Sequence, residues 1–296
     1  MRAIITICVL LGATVVAHAD ADARARAARA KLVAQVTALA EGRLDAFAVM
    51  FPDTKSSAVM FPSSRVVAVG RKAIRAAATE WAGVGKIPTA ATVVGTSSVG
   101  QRLDSDTSKR ASHLVVVNAD LDVTVRGATK PIRLRATSVF SDGLDPANPK
   151  ALASIAMFVS LPTETKDLRG EDKLAESGEF DRFLDLLRVP DLLSERFDAG
   201  PGDVVIGTAL GEHAAGEDAK KLLDSWHGLK LTVVGKPHVA RALDWTYAMA
   251  TVSMKRANDR PAPINVLIVG YPECKGTCVG TEMTPHVVSL HFGQSR

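Results

Sequence analysis

The segment Leu39-Ala40-Glu41-Gly42-Arg43-Leu44-Asp45-Ala46-Phe47 decides the fold, because a second version of it occurs later in the same chain. The second version reads Leu174-Ala175-Glu176-Ser177-Gly178-Glu179-Phe180-Asp181-Arg182-Phe183. Another pair follows in the same order, Thr92-Val93-Val94-Gly95 and Thr232-Val233-Val234-Gly235. The copies are about 140 residues apart, whereas solenoid repeats reach only about 50 residues. The chain is therefore predicted to hold two tandem copies of one domain.

Residues 1–19 have the pattern of a secretory signal. Met1-Arg2 gives a positive start, an apolar stretch follows, and Ala17-His18-Ala19 is a small-x-small cleavage site. The stretch is shorter than the about 20 apolar residues of a stable membrane span. We therefore expect an exported protein, periplasmic or secreted, without a membrane span after cleavage; an uncleaved anchor is the alternative.

The remaining length suits two domains, predicted as residues 20–162 and 167–296, with the polar segment Pro162-Thr163-Glu164-Thr165-Lys166 at the boundary. Hydrophobic residues make up 47% of the chain, so each copy can bury a core. The formal net charge is +4 and basic residues do not alternate with aromatic residues in a block. This pattern argues against binding of nucleic acid.

Cys274 and Cys278 lie close together around Gly276. In an oxidising compartment such a pair favours a disulfide that shapes a loop, with free thiols as the alternative. A zinc site would need two more ligands at suitable spacing, and a redox motif would have two residues between the cysteines instead of three. We predict no metal and no cofactor.

The hydrophobic pattern predicts the same order of elements in both copies, with helices first and a long antiparallel meander afterwards. This order defines an α+β class in which a strongly curved sheet wraps three helices. The first copy is predicted to carry an insertion at Ser105 to Ser112. The long strands are predicted at Ala91–Thr96, Ser112–Arg126, Pro131–Phe140 and Ala151–Leu161, and at Lys230–Gly235, Arg241–Arg256, Ile264–Tyr271 and Val287–Phe292.

Three features occur in the order known from one superfamily. They are the Gly-x-Leu/Phe-Asp-x-Phe turn between two helices, a helix that Gly70 or Gly216 opens and that ends near Trp81 or Trp226, and the closing strand His286-Val287-Val288-Ser289-Leu290-His291-Phe292. The chain thus resembles the cone-shaped superfamily of nuclear transport factor 2, SnoaL-like polyketide cyclases and ketosteroid isomerase. The resemblance implies an apolar pocket inside each cone and pairing through the outer face of the sheet, here within one chain.

The resemblance also implies where a catalytic base would lie. Isomerase-type members carry a carboxylate about nine residues before the helix-opening glycine, and a tyrosine on the first helix. Those positions hold Phe61 and Gly207, and the predicted first helices contain no tyrosine. Because proton abstraction needs a positioned carboxylate or histidine, the sequence favours a protein that is not an enzyme.

Other polar residues were considered as a site. Trp245, Tyr247 and Met249 share one face of a strand, and Tyr247 with His291 could act as donor and base if they face the cone. His113 is a further candidate to line the pocket. Buried Tyr and His with satisfied hydrogen bonds are common, so a structural role is the alternative.

Arg133 and Arg135 alternate with apolar residues, which favours a solvated sheet face over a pocket for an anion. No nucleophile elbow, phosphate loop or zinc-protease motif is present in the sequence. Three hypotheses remain: a non-catalytic protein that binds a small apolar ligand or another exported protein, an isomerase, cyclase or dehydratase with one active cone, and a structural module with collapsed pockets.

Overall fold

The computed structural model describes residues 22–62, 67–105, 108–127, 129–142, 152–160, 186–187, 189–200, 202–208, 212–226, 228–242, 245–255, 261–274 and 283–294. The predicted signal segment, the second copy of the opening motif and Cys278 lie outside these residues. Secretion, cleavage and the disulfide therefore stay predictions.

Domain 1 has its helices first and its sheet afterwards. Helix α1 spans 22–40. It is followed by Gly42, whose φ of 68° is a left-handed conformation that glycine adopts readily and that often terminates a helix. The other helices are α2 (Leu44–Val49) and α3 (Arg71–Gly83). The strands are β1 (Ala58–Met60), β2 (Ala68–Val69), β3 (Lys86–Ser105), β4 (Ser108–Val125), β5 (Ile132–Ser141) and β6 (Ala153–Ser160).

Domain 2 repeats this order. Its described helices include α4 (Pro190–Arg196) and α5 (Gly216–Asp224). The strands are β7 (Val204–Ile206), β8 (His213–Ala215), β9 (Lys230–Ala242), β10 (Trp245–Lys255), β11 (Ala262–Cys274) and β12 (Met283–Gln294).

The two sheets have the same topology. Their strand orders are β2-β1-β6-β5-β4-β3 and β8-β7-β12-β11-β10-β9. Neighbouring strands are antiparallel except at β1/β6 and β7/β12, where the pairing is parallel. The α+β fold class predicted from the sequence is thus confirmed, with two tandem mixed sheets.

Each sheet packs its helices against one face, because apolar residues alternate along the strands. In domain 1 the fully buried Phe61 stacks on Trp81 with 4.7 Å between ring centroids. In domain 2, Trp226 and Phe292 meet edge to face. Large aromatic side chains therefore occupy the inside of both cones.

Several predicted strand boundaries were wrong. The extra residues of the first copy, Ser105 to Ser112, lie at the end of one long hairpin, because β3 and β4 pair as far as Ser105 with Ser108 and are longer than β9 and β10. In domain 2 the strand predicted to end at Gly235 continues as β9 to Ala242. Gly235 has a φ of 70°, and the pairing register shifts beside it. A bulge interrupts the hydrophobic alternation without ending the strand.

Candidate ligand site between the two sheets

The two sheets contact each other within the chain through the faces that turn away from the helices. Buried apolar residues from both sheets form one cluster there. Its buried members are Ala58, Met60, Leu114, Val116, Val139, Ile155, Ala156 and Phe158 from domain 1, and Ala240, Tyr247, Met249, Leu267, Val269 and Val288 from domain 2.

The contact is close to two-fold symmetric. Strand pairing makes Phe158 of β6 equivalent to His291 of β12, since each lies opposite the last residue of the short parallel strand. These two equivalent residues touch each other, with ring centroids 4.7 Å apart. Beside them a Cβ on Gly293 would collide with Ser160. Equivalent residues that meet each other mark the axis of an isologous interface.

A cavity of about 130 Å³ with both polar and apolar lining lies to one side of this axis. This volume is below the roughly 300–1,000 Å³ of pockets for drug-sized ligands, so it suits a very small ligand. Residues of both domains line it: Val94, Asn118, Ala119, Asp120, Arg135, Ile206 and His213.

Arg135 is the buried charge of this site. Only 6% of the residue is exposed, and its Nη1 donates a hydrogen bond to the carbonyl oxygen of Gly207 across the interface at 2.9 Å. Burial lowers the pKa of Arg135 from its ordinary value, while the carboxylates of Asp120 and Glu212 act in the opposite direction. Arg135 therefore stays a cation that two nearby anions balance.

His213 brings a second titratable group to the cavity. Burial lowers the pKa of His213, the positive charge of Arg135 lowers it further, and Asp120 opposes both. The ring is therefore neutral at pH 7. Its Nε2 is buried and has no hydrogen-bond partner among the described residues.

A chain of buried hydrogen bonds reaches the cavity from the two-fold axis. The Thr137 hydroxyl donates to Asn118 Oδ1 at 2.6 Å and lies 2.7 Å from His291 Nδ1. On the other side of the ring, Ser160 Oγ lies 2.8 Å from His291 Nε2. Asn118 ends this chain at the cavity, and its Nδ2 is buried with no partner among the described residues.

The equivalent position on the other side of the axis has a different chemistry. Counted along the paired strands from Phe158 and His291, Thr251 lies where the cavity has Asp120, Asn265 where it has Arg135, and Val67 where it has His213. None of these counterparts carries a charge. The charged site is thus a feature of one half of the interface, although the scaffold is duplicated.

Three of the sequence-predicted residues, Tyr247, Met249 and His291, lie at this interface and not inside a cone. Tyr247 and Met249 belong to the apolar cluster between the sheets. The Tyr247 hydroxyl donates to the carbonyl oxygen of Ser56 at 2.7 Å and lies 3.2 Å from His238 Nε2. His291 is fully buried, and burial lowers its pKa well below the usual range, with Arg135 and His213 adding to the effect. The condition under which Tyr247 and His291 could act as donor and base, that they face the cone, is therefore not met.

Two other predicted residues can be placed only by backbone. Trp245 begins β10 and Cys274 ends β11. Both are strand residues, and their side chains are not among those described.

His113 lies on the helix side of the first sheet, as a pocket residue would. Its Nδ1 is 2.8 Å from Asp142 Oδ2, and its main-chain N–H donates to Asp142 Oδ1 at 2.7 Å. Arg24 of α1 donates to the same carboxylate at 2.9 Å. Burial raises the pKa of Asp142, but the hydrogen bonds from His113 and Arg24 outweigh it, so the pKa is lowered overall.

The family's base positions carry no proton acceptor. Phe61 lies in the core beneath Trp81. Gly207 has no room for a side chain, because a Cβ there would collide with the side chain of Glu212. Among the described residues, no group of three or more His, Cys, Asp or Glu side chains is arranged to hold a metal ion.

Arg135, Asn118 and His213 were not identified as a site from the sequence. Arg135 was predicted to lie on a solvated face, but domain 2 covers it. A signal was present in the repeat, since each charged residue aligns with an uncharged one in the other copy. That signal can be read only once the strand registers are known.

No protein-family model and no curated protein matches the chain. Similar solved structures include a domain of unknown function with a cystatin-like fold from Nostoc punctiforme, with 15% identity over 47% of this chain and 79% of that chain and a TM-score of 0.33. A putative calcium/calmodulin-dependent protein kinase type II association domain from Thiobacillus denitrificans has 16% identity over 42% and 85%, with a TM-score of 0.30. A hypothetical protein with a ketosteroid isomerase-like fold from Catenulispora acidiphila, in complex with trimethylamine, has 10% identity over 42% and 78%, with a TM-score of 0.27.

The fold expected from the sequence, two tandem α+β units whose sheets pack on helices, is confirmed. Two tandem α+β units each wrap helices with a six-stranded sheet of the same order. No helix among the described residues has both the length and the apolar character needed to cross a membrane.

Proposed function

We propose that this protein binds a small polar molecule in the cavity between its two sheets, and that neither cone is an active site. The observation that carries the proposal is the pair of buried, unpartnered nitrogens, Asn118 Nδ2 and His213 Nε2, at one cavity. Leaving such groups without a partner costs about 1 to 3 kcal/mol each, so a ligand that pairs with them gains affinity.

This proposal changes the chemistry expected of the ligand. An apolar ligand was expected inside a cone, but Phe61 and Trp81 occupy that space in domain 1. The cavity between the sheets has Arg135, Asp120 and His213 among its lining residues. The sheet faces that were expected to bind another protein also cover each other. The export signal predicted at residues 1–19 is consistent with a periplasmic or secreted site of action.

A second candidate function is proton transfer at the rim of the first cone. The buried carboxylate of Asp142 orients the His113 ring, and about a quarter of the His113 side chain is exposed, at 23%. A histidine held by a carboxylate is an arrangement that general bases use. This arrangement favours the isomerase, cyclase or dehydratase hypothesis over a structural module with collapsed pockets.

Blocking the cavity mouth tests the first proposal. Val94 is 46% exposed and lines the cavity, so Val94→Phe can cover the opening without entering a core. The control is Val84→Phe, at a residue that is 55% exposed at the end of α3. The measurement is thermal unfolding of the mature protein with a panel of small alcohols, amides, amines and carboxylic acids.

We expect a binder to raise the melting temperature of the wild type and of Val84→Phe, and to leave Val94→Phe unchanged. A ligand at 100 times its Kd adds about 2.7 kcal/mol of stability, which such a scan resolves. Stabilisation that persists in Val94→Phe and is lost in His113→Gln would contradict the proposal and support the second candidate.

A further inference from the structure

The polarity of the buried hydrogen-bond chain determines which ligand the cavity can accept. The Thr137 hydroxyl has one hydrogen, and it is donated to Asn118 Oδ1. Thr137 Oγ1 must therefore accept from His291 Nδ1, which lies 2.7 Å away.

The direction of the remaining hydrogen bonds follows from the neutral state of His291. A neutral imidazole with a proton on Nδ1 has a lone pair on Nε2, so Nε2 accepts from the Ser160 hydroxyl at 2.8 Å. All hydrogen bonds then run in one direction, from Ser160 through His291 and Thr137 to Asn118. In this arrangement Asn118 Oδ1 accepts the last hydrogen bond, and the N–H groups of Asn118 are the part left for the cavity.

The charges around the cavity further restrict the class of ligand that can bind. The single guanidinium of Arg135 is influenced by two carboxylates, Asp120 and Glu212. Arg135 also uses Nη1 for the carbonyl oxygen of Gly207. The two carboxylates already balance the charge of Arg135. They would repel an anionic ligand, and no excess positive charge remains to attract it. The cavity therefore offers hydrogen-bond donors from Asn118 and no net attraction for a carboxylate.

The geometry points to a small uncharged carboxamide as the ligand class, with its carbonyl oxygen accepting from Asn118 Nδ2. The amide N–H groups of such a molecule can donate to the Asp120 carboxylate or, when the proton of neutral His213 is on Nδ1, to the lone pair on Nε2. Ser160, His291 and Thr137 are positioning residues in this scheme, because they act on the ligand only through Asn118. This inference rests on the proposed function, since it names the ligand class of the same cavity.

Acetamide and acetate are the probes, because they have nearly the same shape and differ in charge and in hydrogen-bond donors. The experiment is an NMR titration of the full mature chain at constant ionic strength, following the Asn118 side-chain NH₂ resonances. The variant is Thr137→Val, which removes the hydroxyl that orients Asn118. The control is Thr251→Val, which removes the hydroxyl of a buried Thr–Asn pair in domain 2, where Thr251 donates to Asn265 Oδ1 at 2.8 Å.

We expect acetamide to bind with a Kd at least about tenfold lower than that of acetate in the wild type and in Thr251→Val, which is about 1.4 kcal/mol of discrimination. In Thr137→Val the ratio should fall below about threefold. The ¹⁵N shifts of His291 should report a proton on Nδ1 and none on Nε2. A change of stability alone would alter neither the ratio nor the tautomer.

Several results would overturn the inference. Equal or tighter binding of acetate, a His291 proton on Nε2, or an unchanged ratio in Thr137→Val would each contradict it while leaving a polar ligand site in place. Failure of every polar panel molecule, acetamide included, to shift the cavity resonances would instead remove the proposed function along with the inference.

Discussion

At the scale of single residues, Asp203 shows how the two copies diverged beneath a shared backbone. Asp203 accepts the N–H of Gly216 through its main-chain oxygen at 2.8 Å, as Ser57 accepts that of Gly70 in domain 1. Its side chain is 4% exposed and accepts from the N–H of Gly200 at 2.7 Å. A small hydroxyl residue in one copy thus corresponds to a buried carboxyl in the other.

The protonation of Asp203 gives a prediction about pH. Burial raises its pKa to about 7, the charge of Asp198 contributes in the same direction, and the bond from Gly200 opposes both. The folded state therefore holds this proton up to about pH 7, whereas the unfolded chain releases it near the ordinary value of 3.8. Ionisation of Asp203 then removes stability as the pH rises through this window.

Asp203→Asn should abolish that loss, because the amide oxygen can still accept from Gly200 and carries no charge. We expect the free energy of unfolding of the wild type, relative to Asp203→Asn, to decrease between about pH 4 and pH 7 and to stay level above pH 7. Urea unfolding of both proteins across this range is the measurement. A difference that does not vary with pH would show that Asp203 ionises freely in the folded state.

The sequence identified the strand that holds each candidate residue better than the face of the sheet on which its side chain lies. Tyr247, Met249 and His291 were placed on strands, and the structure has them buried between the sheets; His113, a candidate pocket residue, lies on the helix side of its sheet. Whether a strand residue faces the cone or the other domain depends on register and on bulges such as those beside Met249 and Val269. A shift of one residue reverses the face, so no single-sequence pattern could decide it.

At the scale of elements, the turn before β7 contains the one non-glycine residue with positive φ among those described. Ala199 has a φ of 54° and lies between Asp198 and Gly200. The two carboxylate oxygens of Asp198 contact the Tyr271 hydroxyl and His286 Nδ1. The N–H of Gly200 donates to the side chain of Asp203. A left-handed conformation costs an L-residue about 1 to 2 kcal/mol, and these side-chain bonds hold the turn in it.

Ala199→Gly is expected to stabilise the protein by up to about 1 kcal/mol, since glycine adopts this conformation without steric cost but loses more entropy on folding. Ala76→Gly is the control, at an exposed helical position in α3, where the same change should destabilise by about 1 kcal/mol. The midpoint of urea unfolding measures both. Destabilisation by Ala199→Gly would mean that the backbone at this turn is not strained.

The sequence predicted element type and order well and element ends less well. Helix α3 and the strands around Leu121 and Leu134 follow clean periodicities, and they were confirmed. The β3–β4 hairpin extends beyond its hydrophobic pattern, because backbone pairing continues from Gly100 to Ser105 where the side-chain pattern weakens. Hydrogen bonds between strands have no signature in the sequence of either strand alone.

At the scale of the whole molecule, the duplication brings the outer faces of two related sheets together within one chain. Phe158 and His291 meet near the two-fold axis, beside a cluster of buried apolar residues from both sheets. A covalent pair of domains can differ on the two sides of this axis, which identical subunits cannot do. Charged and titratable side chains are therefore present on one side of the axis only, at Arg135, Asp120 and His213. The repeat predicted the scaffold. The charged cavity could be identified only from the positions of both sheets in the structure.

The most direct test of this account is a crystal structure of the mature chain soaked with acetamide and with the other small molecules of the binding panel. The account predicts an ordered ligand between Asn118, Arg135 and His213, in contact with both domains. A ligand found inside either cone or beside His113, with the cavity between the sheets holding only water, would contradict it.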